Sequence, residues 1–148
     1  MLEFTKRVIA IRKSHPAFHR SKFFQGRRIR GTDVRDIMWY RHDGEEMTDE
    51  DWNNPVTASV GLFLAGLGLR EVDPDGAPLV DDDFFIVLNG SDQPLPFTVP
   101  RATREGTWRL QVDTNDDHAS EEVEQGEKTE LAPRSLKLFM HDAGRESL

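Results

Sequence analysis

The sequence predicts a mainly β fold, an antiparallel β-sandwich preceded by one N-terminal helix. Three observations lead to this fold class. The first residues follow an amphipathic pattern of helical period. From residue 27 onward the chain divides into about seven or eight short segments that are rich in β-branched, aromatic or alternating apolar residues. Turn signals made of Gly, Pro, Asp and Asn separate these segments, as is typical of antiparallel sandwiches.

The helix is expected over residues 2–14. Its apolar side chains recur at i, i+4 and i+7, at Phe4, Val8 and Ile11. Pro16 should end it, because a residue that precedes proline is disfavoured in the helical region. An isolated helix of this length is marginal in water, so it must dock against another surface. The three phenylalanines that follow, Phe18, Phe23 and Phe24, need burial as well.

The strands are expected at residues 34–41, 56–65, 84–89, 97–99, 107–113 and 135–140. The 84–89 segment is almost wholly apolar and should be central, whereas prolines place the 97–99 segment at an edge. The pair Thr48 and Asp51 resembles a helix-capping box, which predicts a short helical turn at 49–53. Residues 67–80 and the acidic stretch 114–128 are expected to be loops, the second of them mobile.

Composition limits the function classes. The chain has 148 residues, a net charge of −8 and no cysteine, which excludes disulfides, thiolate metal sites and a cysteine nucleophile and is compatible with a cytoplasmic protein. Neither a secretory peptide nor a membrane span is expected. Residues 1–41 carry a local charge of +8 and the remainder −16. A basic arm can bind nucleic acid, but the acidic remainder argues against this, and packing on an acidic surface of this chain or a partner is favoured.

Catalytic and metal-binding patterns are weak. His15 and His19 are four residues apart, but Pro16 breaks the helix that would align them on one metal ion. The run at 81–83, all aspartate, lacks the spacing of a calcium-binding loop. It is interpreted as side chains that hydrogen-bond backbone at a strand start, with an adventitious cation as the open alternative. No nucleophile elbow, phosphate-binding loop or dinucleotide fingerprint occurs. We therefore assign no catalytic residue, no metal ligand and no cofactor.

The tryptophans are the side chains most suited to stacking on sugar rings. Trp108 lies on the inward face of an alternating strand, together with Leu110 and Val112, and is expected in the core. Trp39 is expected in the core or at an interface. Trp52 follows an acidic turn and is the candidate for glucan contact, although burial beneath the next strand is the favoured interpretation of its position.

The first third of the chain resembles the C-terminal part of bacterial glycogen debranching enzymes, the isoamylase-type members of the α-amylase superfamily. In that family an amphipathic helix ends in Arg-x-x-His-Pro and leads into Phe-Phe-x-Gly-Arg, found here at residues 12–16 and 23–27. A strand with Asp-Ile-x-Trp, an Asp-Gly turn and Glu-Met-Thr-x-x-Asp-Trp follow at 36–39, 43–44 and 46–52. The resemblance extends more loosely to residue 140.

This resemblance implies a division of the chain into three parts. Residues 1–26 would be the last helix of a (β/α)8 catalytic barrel with its connector, residues 27–142 an α-amylase-type C-terminal β-sandwich, and residues 143–148 a frayed tail. The family's catalytic acids lie upstream of the matched region, so the chain is expected to be an inactive fragment of an enzyme that hydrolyses α-1,6 branch linkages in glycogen or limit dextrin. The alternative is a stand-alone α-glucan-binding module.

The expected partner is therefore the barrel, with glycogen or another α-glucan as a second candidate, and neither nucleic acid nor a membrane. Six apolar residues of the first segment are the predicted barrel interface: Phe4, Val8, Ile11, Phe18, Phe23 and Phe24.

Overall fold

The computed structural model describes residues 1–142, and the predicted tail lies outside this range. One helix of 13 residues precedes two antiparallel sheets, which confirms the predicted fold class. The helices are α1 (Leu2–Ser14) and α2 (Asp49–Asn53), with a 3₁₀ turn at Pro16–Phe18. The strands are β1 (Ile37–Tyr40), β2 (Ser59–Leu64), β3 (Asp83–Asn89), β4 (Leu95–Thr98), β5 (Thr107–Asp113), β6 (Glu122–Glu124), β7 (Lys128–Leu131) and β8 (Ser135–His141). Neither helix in this part of the chain has both the length and the apolar character that a membrane span requires.

The larger sheet has six strands in the order β1-β2-β3-β8-β5-β6, and the smaller one pairs β4 with β7. β3 is central, as its apolar sequence predicts, and β4 forms half of a two-stranded sheet, in keeping with its prolines. The prediction that residues 114–128 form a mobile loop is wrong in part, because this segment contains the strand β6. Only Val123 of that strand is buried, so its sequence shows almost no apolar pattern.

Two apolar cores lie on opposite faces of the six-stranded sheet. The main core fills the space between the sheets and contains Phe63, Phe85, Phe97, Trp108 and Phe139, all fully buried. The indole N–H of Trp108 donates to the carbonyl of Pro100 at 2.9 Å, so the predicted core position of this residue is confirmed. The second core lies between the other face of the sheet and the N-terminal segment.

The second core explains why α1 forms. Its N-terminus has no side-chain cap, and a helix of this length is marginal alone, so its stability must come from packing. Phe4 and Ile11 lie seven residues apart, and both pack against the second core, which contains Phe84, Val112 and Leu138. The Arg7 guanidinium also pairs with Asp117 in the β5–β6 connection, so part of the basic segment meets the chain's own acidic surface.

β5 contributes to both cores because it contains a bulge. Leu110 pairs with Phe139, whereas Val112 pairs with Leu138, so Gln111 is an extra residue. Trp108 therefore packs in the main core and Val112 in the second. The expectation that Trp108, Leu110 and Val112 share one inward face is wrong beyond the bulge, since one added residue reverses side-chain direction.

α2 carries the capping box that the sequence predicts. The Thr48 hydroxyl accepts from the Asp51 backbone N–H at 3.2 Å, and the Asp51 carboxylate accepts from the Thr48 backbone N–H at 2.8 Å. α2 holds Trp52 against Trp39 with ring centroids 5.4 Å apart. The favoured expectation that Trp52 is buried beneath the next strand is wrong, because the residue is 52% exposed.

Candidate docking surface

The junction between α1 and the sandwich is built around one carboxylate. Asp81 is buried just before β3 and accepts three hydrogen bonds, from His15 Nδ1 (2.7 Å), the Ala17 backbone N–H (2.9 Å) and the Asp82 backbone N–H (2.8 Å). A carboxylate only accepts, so the His15 nitrogen carries the hydrogen. We name the group His15, Ala17 and Asp81 the latch, because it joins the end of α1 to the central strand.

Aromatic packing encloses the latch. The His15 ring contacts the edge of Phe84 with centroids 4.8 Å apart, and Phe18 packs on Phe84 at 4.4 Å. Pro16 stops the helix at the point where Ala17 can turn its N–H toward Asp81. The family-like His-Pro pair thus has a structural reason, since one residue supplies a donor and the other redirects the backbone.

The aspartate run at 81–83 hydrogen-bonds backbone, as the sequence predicts. Asp83 accepts from the Gly66 N–H and from the Thr103 N–H, both at 2.8 Å. His15, Asp81 and Asp82 present oxygen and nitrogen atoms within 4.8 Å of one another, a set that could hold a metal ion. Both Asp81 oxygens already accept hydrogen bonds from protein donors, however, so the latch alone accounts for their placement.

Two more carboxylates fix the connector between the latch and β1. Asp36 accepts from the backbone N–H groups of Gln25 (2.9 Å) and Arg27 (3.2 Å). Glu71 accepts from the Ser21 backbone N–H at 2.5 Å, and this bond lowers the pKa of the Glu71 carboxyl below its ordinary value. The connector is therefore ordered by side-chain acceptors where it lacks a regular element.

The structure divides the six predicted interface residues into two groups. Phe4, Ile11, Phe18 and Phe24 pack against the second core of this chain. Val8 is more exposed, and the Phe23 side chain is 91% exposed. The first four therefore attach the N-terminal segment to its own sandwich, and contact of any of the six with a barrel stays a prediction.

The sheet face beneath α1 continues as an apolar surface beyond the helix. Side chains along three rows of paired residues point to this face. The row Ile37, Leu64, Phe84 and Met140 lies beneath the N-terminal segment. The next rows are Trp39, Leu62, Ile86 and Leu138, and then Val60, Leu88 and Leu136.

Exposure rises along these rows. Phe84 is fully buried, Ile86 is partly exposed, and Leu88 is 39% exposed. We define the open face as Trp39, Leu62 and Ile86 of the second row and Val60, Leu88 and Leu136 of the third row, with Trp52 at their edge. Leu138 is left out because it is buried. Contiguous apolar surface of this kind marks a contact site in soluble proteins.

The outer side of α1 carries two exposed apolar side chains beside Lys6 and Lys13. Leu2 and Ile9 lie seven residues apart, so they share one face of the helix, and both are exposed. The Phe4 and Ile11 side chains occupy the side that faces the sheet. The outer side of α1 and the open face thus lie on the same side of the six-stranded sheet.

Sequence reasoning missed the open face, although a signal for it exists. The segments at 37–40, 60–64 and 84–88 are apolar on both faces, which predicts cover on both sides. Only one of those faces is fully covered within the described residues, by the β4–β7 layer.

Comparison with known proteins gives relatives of one type. The chain is 38% identical over 117 residues to the "Glycogen operon protein GlgX homolog" of Mycobacterium tuberculosis, covering 78% of this chain and 16% of that protein. It is 27% identical over 128 residues to the "Isoamylase" of Pseudomonas amyloderamosa, covering 85% of this chain and 14% of that protein. The chain thus spans about a sixth of the length of these curated relatives. No family model matches it.

Among solved structures, a pullulanase from Anoxybacillus sp., crystallised with maltotetraose, superposes with a TM-score of 0.52. The match covers 94% of this chain and 15% of that chain at 12% identity. At this identity the likeness concerns the fold alone.

Proposed function

This chain is a glycogen debranching enzyme-type region of the isoamylase family, and on that premise we propose that it is the enzyme's non-catalytic C-terminal β-sandwich domain with the last helix of the catalytic barrel. Its role is to pack against the (β/α)8 barrel and stabilise it. The whole enzyme would hydrolyse α-1,6 branch linkages in glycogen or limit dextrin.

The open face is the observation that carries this proposal. Within residues 1–142 the open face is apolar and only partly covered, with Trp39, Leu88 and Trp52 exposed, and it lies next to a helix whose outer side carries the exposed Leu2 and Ile9. A single large body on that side of the sheet would cover both surfaces at once. The barrel is the partner that fits, because α1 would be its last helix and would hold it beside the open face.

Leu88 offers a direct test of docking. We expect Leu88→Lys to leave the stability of the isolated chain within about 0.5 kcal/mol of wild type, since the side chain is partly exposed on the free domain. The same substitution should destabilise a chimera in which this chain replaces the matching region of the Mycobacterium tuberculosis relative. There the lysine would be buried without a partner, at a cost of about 3 kcal/mol or more.

The control is Val72→Lys, which changes an exposed loop residue by the same chemistry. Thermal unfolding and release of linear chains from glycogen are measured for both chimeras and both isolated chains. Equal behaviour of the two chimeras would refute docking through the open face. A dimer of the isolated chain that Leu88→Lys dissociates, with no effect in the chimera, would assign the face to a second copy instead.

We further propose that the isolated chain has no glycosidase activity, since the family's catalytic acids are not among its matched residues. Release of linear chains from glycogen by the pure 148-residue chain would overturn this. The alternative of a stand-alone α-glucan-binding module draws on the exposed ring of Trp52. It predicts a change of tryptophan fluorescence with millimolar maltooligosaccharide that Trp52→Ala abolishes.

A further inference from the structure

An open cleft lies at the end of the six-stranded sheet opposite the latch. The chain that links β1 to β2 forms one wall and the chain that links β3 to β4 forms the other. Its volume is about 590 Å³, within the range of small-molecule sites in proteins. None of its lining residues belongs to the rows of the open face, so different side chains form the two surfaces.

The first wall is held rigidly by ionic contacts. The Arg41 guanidinium donates to Asp43 (Nη2 to Oδ2, 2.6 Å) and lies 3.6 Å from the Asp51 carboxylate. Asp51 is itself fixed by the capping box of α2. A wall that is ordered before the ligand arrives loses little conformational entropy on binding.

The second wall is fixed by one buried amide. The Asn89 side chain donates to the carbonyls of Gln93 (2.8 Å) and Ala132 (3.1 Å) and accepts from the Ser91 N–H (3.0 Å). Because these bonds use both donors and an acceptor of Asn89, its function is to shape the loop. Ser91, on the same loop, lines the cleft, and its hydroxyl donates to Asn89 Oδ1 (2.8 Å).

The charged groups of the cleft pair with one another and leave one negative charge in excess. Hydrogen bonding to Arg41 lowers the pKa of Asp43, and hydrogen bonding to the Thr48 backbone lowers that of Asp51, so both are ionised at neutral pH. Arg41 is the sole permanent cation among the lining residues, and it lies against two carboxylates, Asp43 and Asp51, which leave one negative charge in excess. The cleft therefore has no excess positive charge with which to bind a phosphate or a carboxylate.

Its remaining surface suits a neutral ligand with both hydroxyl groups and apolar C–H faces. Hydroxyls, an amide and an imidazole line the cleft, from Thr57, Ser59, Ser91, Asn54 and His42. The Thr57 hydroxyl donates to the Asp51 carbonyl and the Ser91 hydroxyl to Asn89 Oδ1, so these two oxygens remain as acceptors for a ligand. Apolar surface comes from Met47, Val56, Ala58 and Leu95. A sugar ring has this combination of polar edge and apolar face.

We propose that this cleft binds a short segment of a neutral α-1,4-linked glucan. The choice of glucan among neutral sugars rests on the proposed function, in which the parent enzyme acts on glycogen. The site is separate from the Trp52 ring, and it would hold a chain of the polymer while the barrel acts elsewhere on it.

The test is a titration of the isolated chain with maltoheptaose, followed by NMR of backbone amides. We expect a Kd on the order of 1 mM with shifts at the cleft. Ala58→Trp places a large ring in the cleft from an exposed position and should weaken binding about tenfold or more. Ala77→Trp, at an exposed turn outside the cleft, is the matched control.

The proposal is refuted by no binding at 20-fold higher sugar, about 20 mM, by equal binding of the two variants, or by loss of binding with Trp52→Ala but not with Ala58→Trp. Stronger shifts with glucose 6-phosphate than with maltoheptaose would also overturn it, because they would show an anion site. The docking proposal fails separately, through the Leu88→Lys chimera, which leaves the cleft unchanged.

Discussion

Replacing Asp81 with alanine should release α1 from the sandwich, because three donors lose their common acceptor. The Ala17 and Asp82 backbone N–H groups are buried, and each buried donor without a partner costs about 1–3 kcal/mol. His15 is less enclosed, so water can replace part of its lost bond. We therefore expect Asp81→Ala to lower the free energy of unfolding by about 3–5 kcal/mol.

Two further variants define the interpretation. Asp81→Asn keeps the shape and one acceptor oxygen, so it should cost less, about 2 kcal/mol. Asp117→Asn removes the charge that pairs with Arg7 of α1 at an exposed position. It should lower the free energy of unfolding by at most about 1 kcal/mol. Together they separate loss of the latch from a general loss of negative charge next to α1.

The assay is urea unfolding combined with native-state hydrogen exchange. In the Asp81 variants, the amides of α1 should exchange through a local opening whose free energy is lower than in wild type. The amides of β3 should exchange only on global unfolding. Should Asp81→Ala fail to fold, the exchange of α1 in Asp81→Asn still gives the answer. Unfolding within about 0.5 kcal/mol of wild type, with unchanged α1 exchange, would refute the latch.

Two other predictions concern the elements around the latch and α2. Gly66→Ala should lower the free energy of unfolding in urea by about 3 kcal/mol or more, because a Cβ there would lie 2.0 Å from the Asp81 carbonyl oxygen. The control is Gly76→Ala, where φ is +83° and no atom lies within 4 Å of the added Cβ. It should lower that free energy by only about 1 kcal/mol. The pKa of Asp51 is lowered in the folded state, so its contribution to stability is complete above the unfolded pKa of about 3.9 and is lost as pH falls through the folded value. Asp51→Asn should accordingly be less stable than wild type at pH 6, with the difference shrinking below about pH 4; a pH-independent difference would contradict this role.

Much of the fold could be predicted from local patterns. α1, the capping box of α2 and the central β3 follow from helical spacing, cap residues and an apolar run, all of which are short-range signals. β6 could not be found this way, because a three-residue strand with Val123 as its single buried side chain carries no periodicity. The bulge at Gln111 could not be predicted either. Apolar and polar residues alternate along β5 in the same way whether or not the strand contains an extra residue.

Only the apolar composition of the docking surface could be predicted from the sequence. An apolar N-terminal segment that needs cover was evident, but which of its residues face the domain's own sheet depends on the crossing of α1 over β5 and β8. Phe4 and Ile11 pack against the domain's own second core, and contact of either residue with a barrel stays a prediction. The role of Asp81 depends on a pairing 66 residues apart, which no local pattern shows.

The latch has a consequence for motion between the two parts of the proposed enzyme. Domains within a chain are commonly joined by flexible linkers, and relative movement is then the default. Here the four residues from His15 to Phe18 contain a proline, donate two hydrogen bonds to the buried Asp81 carboxylate and end in a ring that packs on Phe84. A joint of this kind transmits rotation without bending, so a barrel that contains α1 would turn together with β3 as one rigid body.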